Sequence, residues 1–168
     1  LDHQPDYNRV WPGASQEMID FPEARMMQQI VESMARRDVV ASVDVHTKTG
    51  CNPHYACVNV LDQKYLQLAT LCGRTVVYFI RPRGVQSMAF AQLCPAVTLE
   101  CGKPGEPHGL LHAIVFLDAC VHLSEIPSQP VAEHDIILFH TVAQIKIRDD
   151  ISFSFSQEDS DVVFSDDL

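Results

Sequence analysis

Apolar positions first fall into a helical rhythm at Met26, Met27, Ile30, Val31 and Met34. Asp20 offers an N-cap, Pro22 belongs in the first turn, Glu23 suits the positive end of the helix dipole, and Arg36 and Arg37 suit its last turn. The methionine stripe reads as core packing. The rhythm then changes to β-branched runs. The run VVASVDVH after Asp38, TVVYFI (Thr75–Ile80) and PAVTL (Pro95–Leu99) read as buried strands. Between them Thr47–Pro53 reads as a loop, Asp62–Cys72 as a helix ended by Gly73, and Ser87–Leu93 as a short helix. From Pro107 the run HGLLHAIVFLDACVHL is apolar nearly all round, which predicts a well-buried helix. Helices alternating with apolar strands predict an α/β sheet covered on both faces.

After Ile126 the pattern changes again. Pro127 and Pro130 mark a linker, DIILFHTVAQIKI reads as a pair of strands, and ISFSFS alternates with period two. The expected division is therefore 1–126 for the α/β domain and 131–168 for the start of a β-rich module. The acid-rich end reads as frayed or cut short. The opening at Leu1, inside a polar motif, suggests a fragment.

Composition narrows the function. Of 168 residues, 12 are Lys or Arg and 22 are acids, a net charge of −10 with no basic run. That argues against nucleic acid as a partner. No apolar stretch is long enough to span a membrane. The six cysteines form no C-x-x-C pair and several sit in apolar runs. They read as reduced, buried thiols of a cytoplasmic protein.

Three clusters could carry chemistry: Asp6-Tyr7-Asn8-Arg9 with Trp11-Pro12-Gly13; Ser42-Val43-Asp44-Val45-His46-Thr47; and Thr98-Leu99-Glu100-Cys101-Gly102. The second and third end strands, and ligands of α/β sheets bind beyond the carboxyl ends of strands. An imidazole there can hold zinc. Asp44, two residues before His46, projects on the same side and can orient it. Glu100 beside a metal could move a proton between water and a leaving nitrogen. Arg9 offers a planar fork to a carboxylate, and Asn8 a neutral donor. Singly, each is weak: a strand-end histidine is more often structural, and a glutamate before glycine is usually a loop residue.

Taken in order, the stretches DYNRVWPG, VDVHTKTGCNP and TLECGKPG resemble the succinylglutamate desuccinylase/aspartoacylase branch of the zinc carboxypeptidase superfamily. The resemblance runs to about residue 125. It implies a three-layer α/β/α fold with a mixed sheet, followed by part of a β-rich C-terminal domain. It also implies a zinc-dependent hydrolase that cleaves an amide bond of a small carboxylate-bearing substrate such as an N-acyl amino acid. His46 matches a zinc ligand, Asn8 and Arg9 the pair that grips the substrate carboxylate, and Glu100 the catalytic glutamate that activates water. One Zn2+ per chain is expected.

The family's other two ligands form an H-x-x-E motif well before D-x-N-R, a region outside this sequence. His3 with Asp6, and His122 with Glu125, have similar spacing by coincidence: the first overlaps the next motif and the second follows Glu100. His108 and His112 are spaced i,i+4 on the apolar helix, without an evident third ligand. With His46 alone, zinc would be held weakly and these residues by themselves would have little activity. The alternatives are a metallocarboxypeptidase acting on peptides, a non-catalytic anion-binding module around Arg9, or a purely structural assembly domain. The expected partner is a small anionic substrate, not nucleic acid or a membrane, and a homo-oligomer is compatible with the sequence.

Overall fold

The computed structural model of the chain describes residues 6–12, 22–37, 41–48, 50, 52–154 and 160–163. Asp20, His3, Asp38, Cys51 and the ends of the acid-rich tail lie outside them. Among the described residues the α-helices are α1 (Pro22–Ala35), α2 (Gln63–Thr70), α3 (Gln86–Phe90) and α4 (Pro107–His122). The strands are β1 (Ser42–His46), β2 (Tyr55–Val58), β3 (Thr75–Tyr78), β4 (Ala96–Glu100), β5 (Ile137–His140), β6 (Phe153–Ser154) and β7 (Val162–Val163).

The first five strands form one mixed sheet in the order β1-β4-β2-β3-β5. Only the β2–β4 pairing is antiparallel. With helices flanking the sheet, this is an α/β fold. Local chemistry explains several boundaries. The Asp62 carboxylate accepts a hydrogen bond from the Lys64 N–H at 3.0 Å and caps α2. Pro107 opens α4, where a missing N–H costs nothing. Between β4 and α4 the backbone turns through Gly102 at φ +87°, a left-handed conformation that glycine adopts without strain.

Alternation along β4 divides the side chains. Val97, Leu99 and then Cys101 join α2 residues Leu68 and Ala69 and α4 residues Ala113 and Phe116 in the main core. Ala96 packs in a second cluster with Val10, Trp11, Phe90 and Ala91. There Phe90, 1% exposed, meets the Trp11 ring edge-on at 5.1 Å. Phe90→Ala is expected to cost about 3–5 kcal/mol of stability, read from the denaturant midpoint.

Four expectations are corrected. The methionine stripe is not core: Met26, Met27, Ile30 and Met34 are exposed, and only Val31 of that pattern reaches the second cluster. Helix α4 is not well buried either. It sinks Gly109, Ala113 and Phe116 but exposes Leu110 (67%), Leu111, Ile114, Val115, Leu117 and Val121 (77%). Periodicity tells which residues share a face, whereas burial needs a neighbour to cover it. The segment from Ile136 yields one strand rather than two, and that strand extends the main sheet by pairing in parallel with β3. Among the described residues of ISFSFS, strand pairing involves Phe153 and Ser154, opposite Val162 and Val163. The missing expectation is β2: Tyr55–Val58 lies centrally, between β4 and β3.

Candidate active site

Parallel pairing of β1 with β4 puts Asp44 beside Thr98 and His46 beside Glu100, at the carboxyl ends of both strands. The Cys101 N–H donates to the His46 carbonyl at 2.9 Å, and the Lys48 N–H to the Gly102 carbonyl at 2.8 Å. These bonds hold the two strand ends in register beyond the last paired residues. Strand alternation turns Asp44 and His46 to one face, and their side chains meet: His46 Nε2 lies 3.0 Å from Asp44 Oδ2. That hydrogen bond is the main reason the imidazole holds its proton more tightly than usual. Partial burial works against it, the Asp44 and Glu100 charges reinforce it, and Arg9 opposes it.

The Glu100 carboxyl is half-buried, and loss of water raises its pKa. The positive charges of His46 and Lys48 pull it back down, while Asp44 adds to the rise. A carboxylate held in this way is a better proton acceptor than a fully solvated one.

Arg9 belongs to the 3-10 turn Tyr7–Arg9, capped by the Asp6 carboxylate, which accepts from the Asn8 N–H at 2.9 Å. One guanidinium nitrogen donates to the Asn8 carbonyl at 2.8 Å. Among the described residues Arg9 makes no ion pair, so the rest of its fork can receive an anion. The structure thus gathers Asp44, Glu100 and Arg9 within electrostatic reach of His46, and Asp44 and Lys48 within reach of Glu100. Asn8 sits beside Arg9 in the turn.

Two further side chains flank Glu100. Tyr55 is its register partner on antiparallel β2, and burial together with the Glu100 charge raises the phenol's pKa. The Lys48 ammonium lies 4.9 Å over the Tyr55 ring and donates to the Asn52 and Pro53 carbonyls. Neither residue stands out in the sequence, because their position depends on β2 entering the sheet antiparallel to β4. A 470 Å³ cavity runs between Val45, His46 and Thr47 at the end of β1 and the start of α4.

Among the described residues no group of three or more His, Cys, Asp or Glu side chains is placed to hold a metal ion. What they offer a metal is one strand-end imidazole with a carboxylate on one ring nitrogen, the arrangement of an oriented histidine ligand. His108 and His112 do not converge on a common point. His108 Nε2 lies 3.2 Å from Glu106 Oε2, while His112 stacks on His54. Cys57, Cys72, Cys94 and Cys101 are buried free thiols, and burial pushes Cys57 and Cys72 up to about 12. Such thiols are poor nucleophiles at neutral pH. Among the described residues no helix is long and apolar enough to cross a membrane.

No family model and no curated protein matches the chain. Solved structures do. The succinylglutamate desuccinylase from Chromobacterium violaceum superposes with a TM-score of 0.66 at 20% identity, over 94% of this chain and 54% of its own. That from Vibrio cholerae gives 0.61 at 16% identity, over 91% and 50%. The ectoine utilization protein EutE (DoeB) from Ruegeria pomeroyi, in its apo form, gives 0.50 at 15% identity, over 82% and 47%. At these identities the likeness establishes the fold alone, the α/β scaffold shared with these structures. The chain spans about half the length of the structures it matches.

Proposed function

From this scaffold we propose that the chain carries the water-activating and carboxylate-binding part of a zinc-dependent hydrolase. Its substrate would be a small carboxylate-bearing amide of the N-acyl amino acid class. The observation that supports this most is that the Asp44-bound His46 imidazole feels both the half-buried Glu100 carboxyl and the Arg9 guanidinium, which makes no ion pair among the described residues. His46 would hold the metal through Nδ1, with Asp44 fixing the ring from Nε2. The two further donors that a three-ligand catalytic zinc needs are not among the described residues. When bound, the ion would supply Lewis acidity toward the scissile carbonyl and the attacking water.

The chain's own residues divide the remaining work. Glu100 accepts the proton of the attacking water and delivers it to the leaving nitrogen. Arg9 and Asn8 grip the substrate's carboxylate and so fix which amide faces Glu100. A non-catalytic anion-binding module would keep Arg9 but has no need of a desolvated acid beside a histidine, so the placement of Glu100 favours the enzyme.

Metal analysis of the full-length protein, paired with hydrolysis assays on N-acyl amino acids, tests this reading. About one zinc per chain with turnover supports it, and a metal-free, inactive protein refutes it. Arg9→Ala is expected to weaken binding of carboxylate substrates by about 10–100-fold, the worth of a charged hydrogen-bonded pair. An uncharged amide of the same shape should be unaffected. Equal losses for the two substrates, measured as kcat/KM, would remove Arg9 from that role.

A further inference from the structure

Away from Glu100, three imidazoles gather where α4 meets the loop that enters β2. The His54 and His112 rings stack with centroids 4.2 Å apart and planes 16° from parallel. His108 lies 5.6 Å from His54 and pairs with Glu106. His112 Nε2 is 3.2 Å from the Cys72 sulfur at the end of α2. His54 Nδ1 is buried and has no hydrogen-bond partner among the described residues. The stack therefore joins three segments: the loop ahead of β2, helix α4 and the end of α2.

We propose that the His54–His112 stack is an acid-sensitive latch, closed while both rings are neutral and opened when a ring takes up a proton. The geometry gives the reason. A proton on either ring would place a charge face to face with a second imidazole 4.2 Å away, with His108 and Lys48 also close by. The surroundings of His54 are mostly cationic or neutral: Lys48 from the end of β1, His108 and His112 from α4, and the Cys72 thiol behind His112. Lys103 lies in the turn before α4 and lines the same cavity. Among the described residues that line this cavity the carboxylate is Glu106, already bonded to the Lys103 N–H at 2.9 Å and paired with His108. A hydrogen bond toward the Glu100 backbone favours the protonated ring, but burial and the neighbouring cations outweigh it, so His54 titrates below its usual value. Burial shifts His112 the same way.

The sign of the pH effect follows. With both native pKa values below the ordinary 6.5, the opened chain binds more protons than the latched one as the pH drops through that value. The latch is fully effective above that pH and weakens below it. Opening would release Asn52–His54, which line a 320 Å³ cavity with Gly102, Lys103, Glu106 and His108 and lead directly into Tyr55 beside Glu100.

The test uses the full chain. Proton NMR should show cross-ring contacts between His54 and His112 at about pH 7.5 that vanish by about pH 5.5, a range centred on ordinary histidine titration. Trp11–Phe90 contacts and the far-UV circular dichroism should persist throughout. A double variant, His54→Phe with His112→Phe, keeps two stacked rings that cannot titrate. Its melting temperature should change less between those pH values than that of the parent chain. Cross-ring contacts that survive acidification, or that disappear only with the whole sheet, overturn the latch. So does a double variant with the parent's pH dependence.

Discussion

Gly109→Ala is expected to lower the melting temperature by about 6–12 °C, the effect of roughly 3 kcal/mol in a chain of this size. The change looks harmless in sequence, since alanine is the better helix former by about 1 kcal/mol. The structure reverses that preference. A Cβ at Gly109 would stand 1.8 Å from the Cys101 carbonyl oxygen, 3.1 Å from its carbon and 3.8 Å from the Gly102 Cα. All three are backbone atoms of the segment leaving β4, so no side chain can rotate away. Helix α4 would have to retreat by roughly 1.5 Å to restore van der Waals distance. That retreat would loosen Ala113 and Phe116, the α4 residues that seal the main core. Leu110→Ala, one position along on the exposed face, should stay within about 0.5 kcal/mol of the parent. Thermal melts of the two variants side by side check the argument. Equal effects would mean that the close approach of α4 to Cys101 is not what holds the helix.

In the metal-loaded enzyme, Glu100→Gln should reduce turnover by about 10²–10⁴-fold, the usual contribution of a positioned acid–base group. Glutamine keeps the size and the hydrogen-bonding reach of the side chain but cannot accept the water's proton. Zinc content should be unchanged, because His46, not Glu100, is the proposed ligand. KM for the carboxylate substrate should move little, because Arg9 and Asn8 are the residues proposed to make that contact. Full activity in the variant would take Glu100 out of the mechanism, and loss of zinc along with activity would recast it as a ligand. Steady-state kinetics and metal analysis on the same preparation separate these results.

The parts that could be read from residue order are those governed by local rules. The β-branched runs around Val43–Val45, Val76–Val77 and Val97–Thr98 are strands, and the Asp62 cap and Pro107 open helices where expected. The pairing of Asp44 with His46 follows from two-residue alternation. What could not be read depends on distant neighbours. Tyr55-Ala56-Cys57-Val58 is short and has one β-branched residue; it becomes a strand because β4 and β3 both bond to it. Once β2 is in place, Tyr55 and Lys48 come to stand against Glu100. The burial of α1 and α4 was illegible for the same reason, since an apolar stripe does not specify what packs on it.

The alternation in β1 and β4 has a consequence for mutational tolerance. Asp44 and His46 share a strand with Val43, which packs against the main core, and Glu100 directly follows the core residue Leu99. Deleting or inserting a single codon within either strand would exchange the two sets, carrying charges into the hydrocarbon layer and valines out to the solvent side. Length changes there should thus be far more damaging than conservative replacements, whereas the loop at residues 47–54 can absorb them only outside the Lys48–Asn52 clasp.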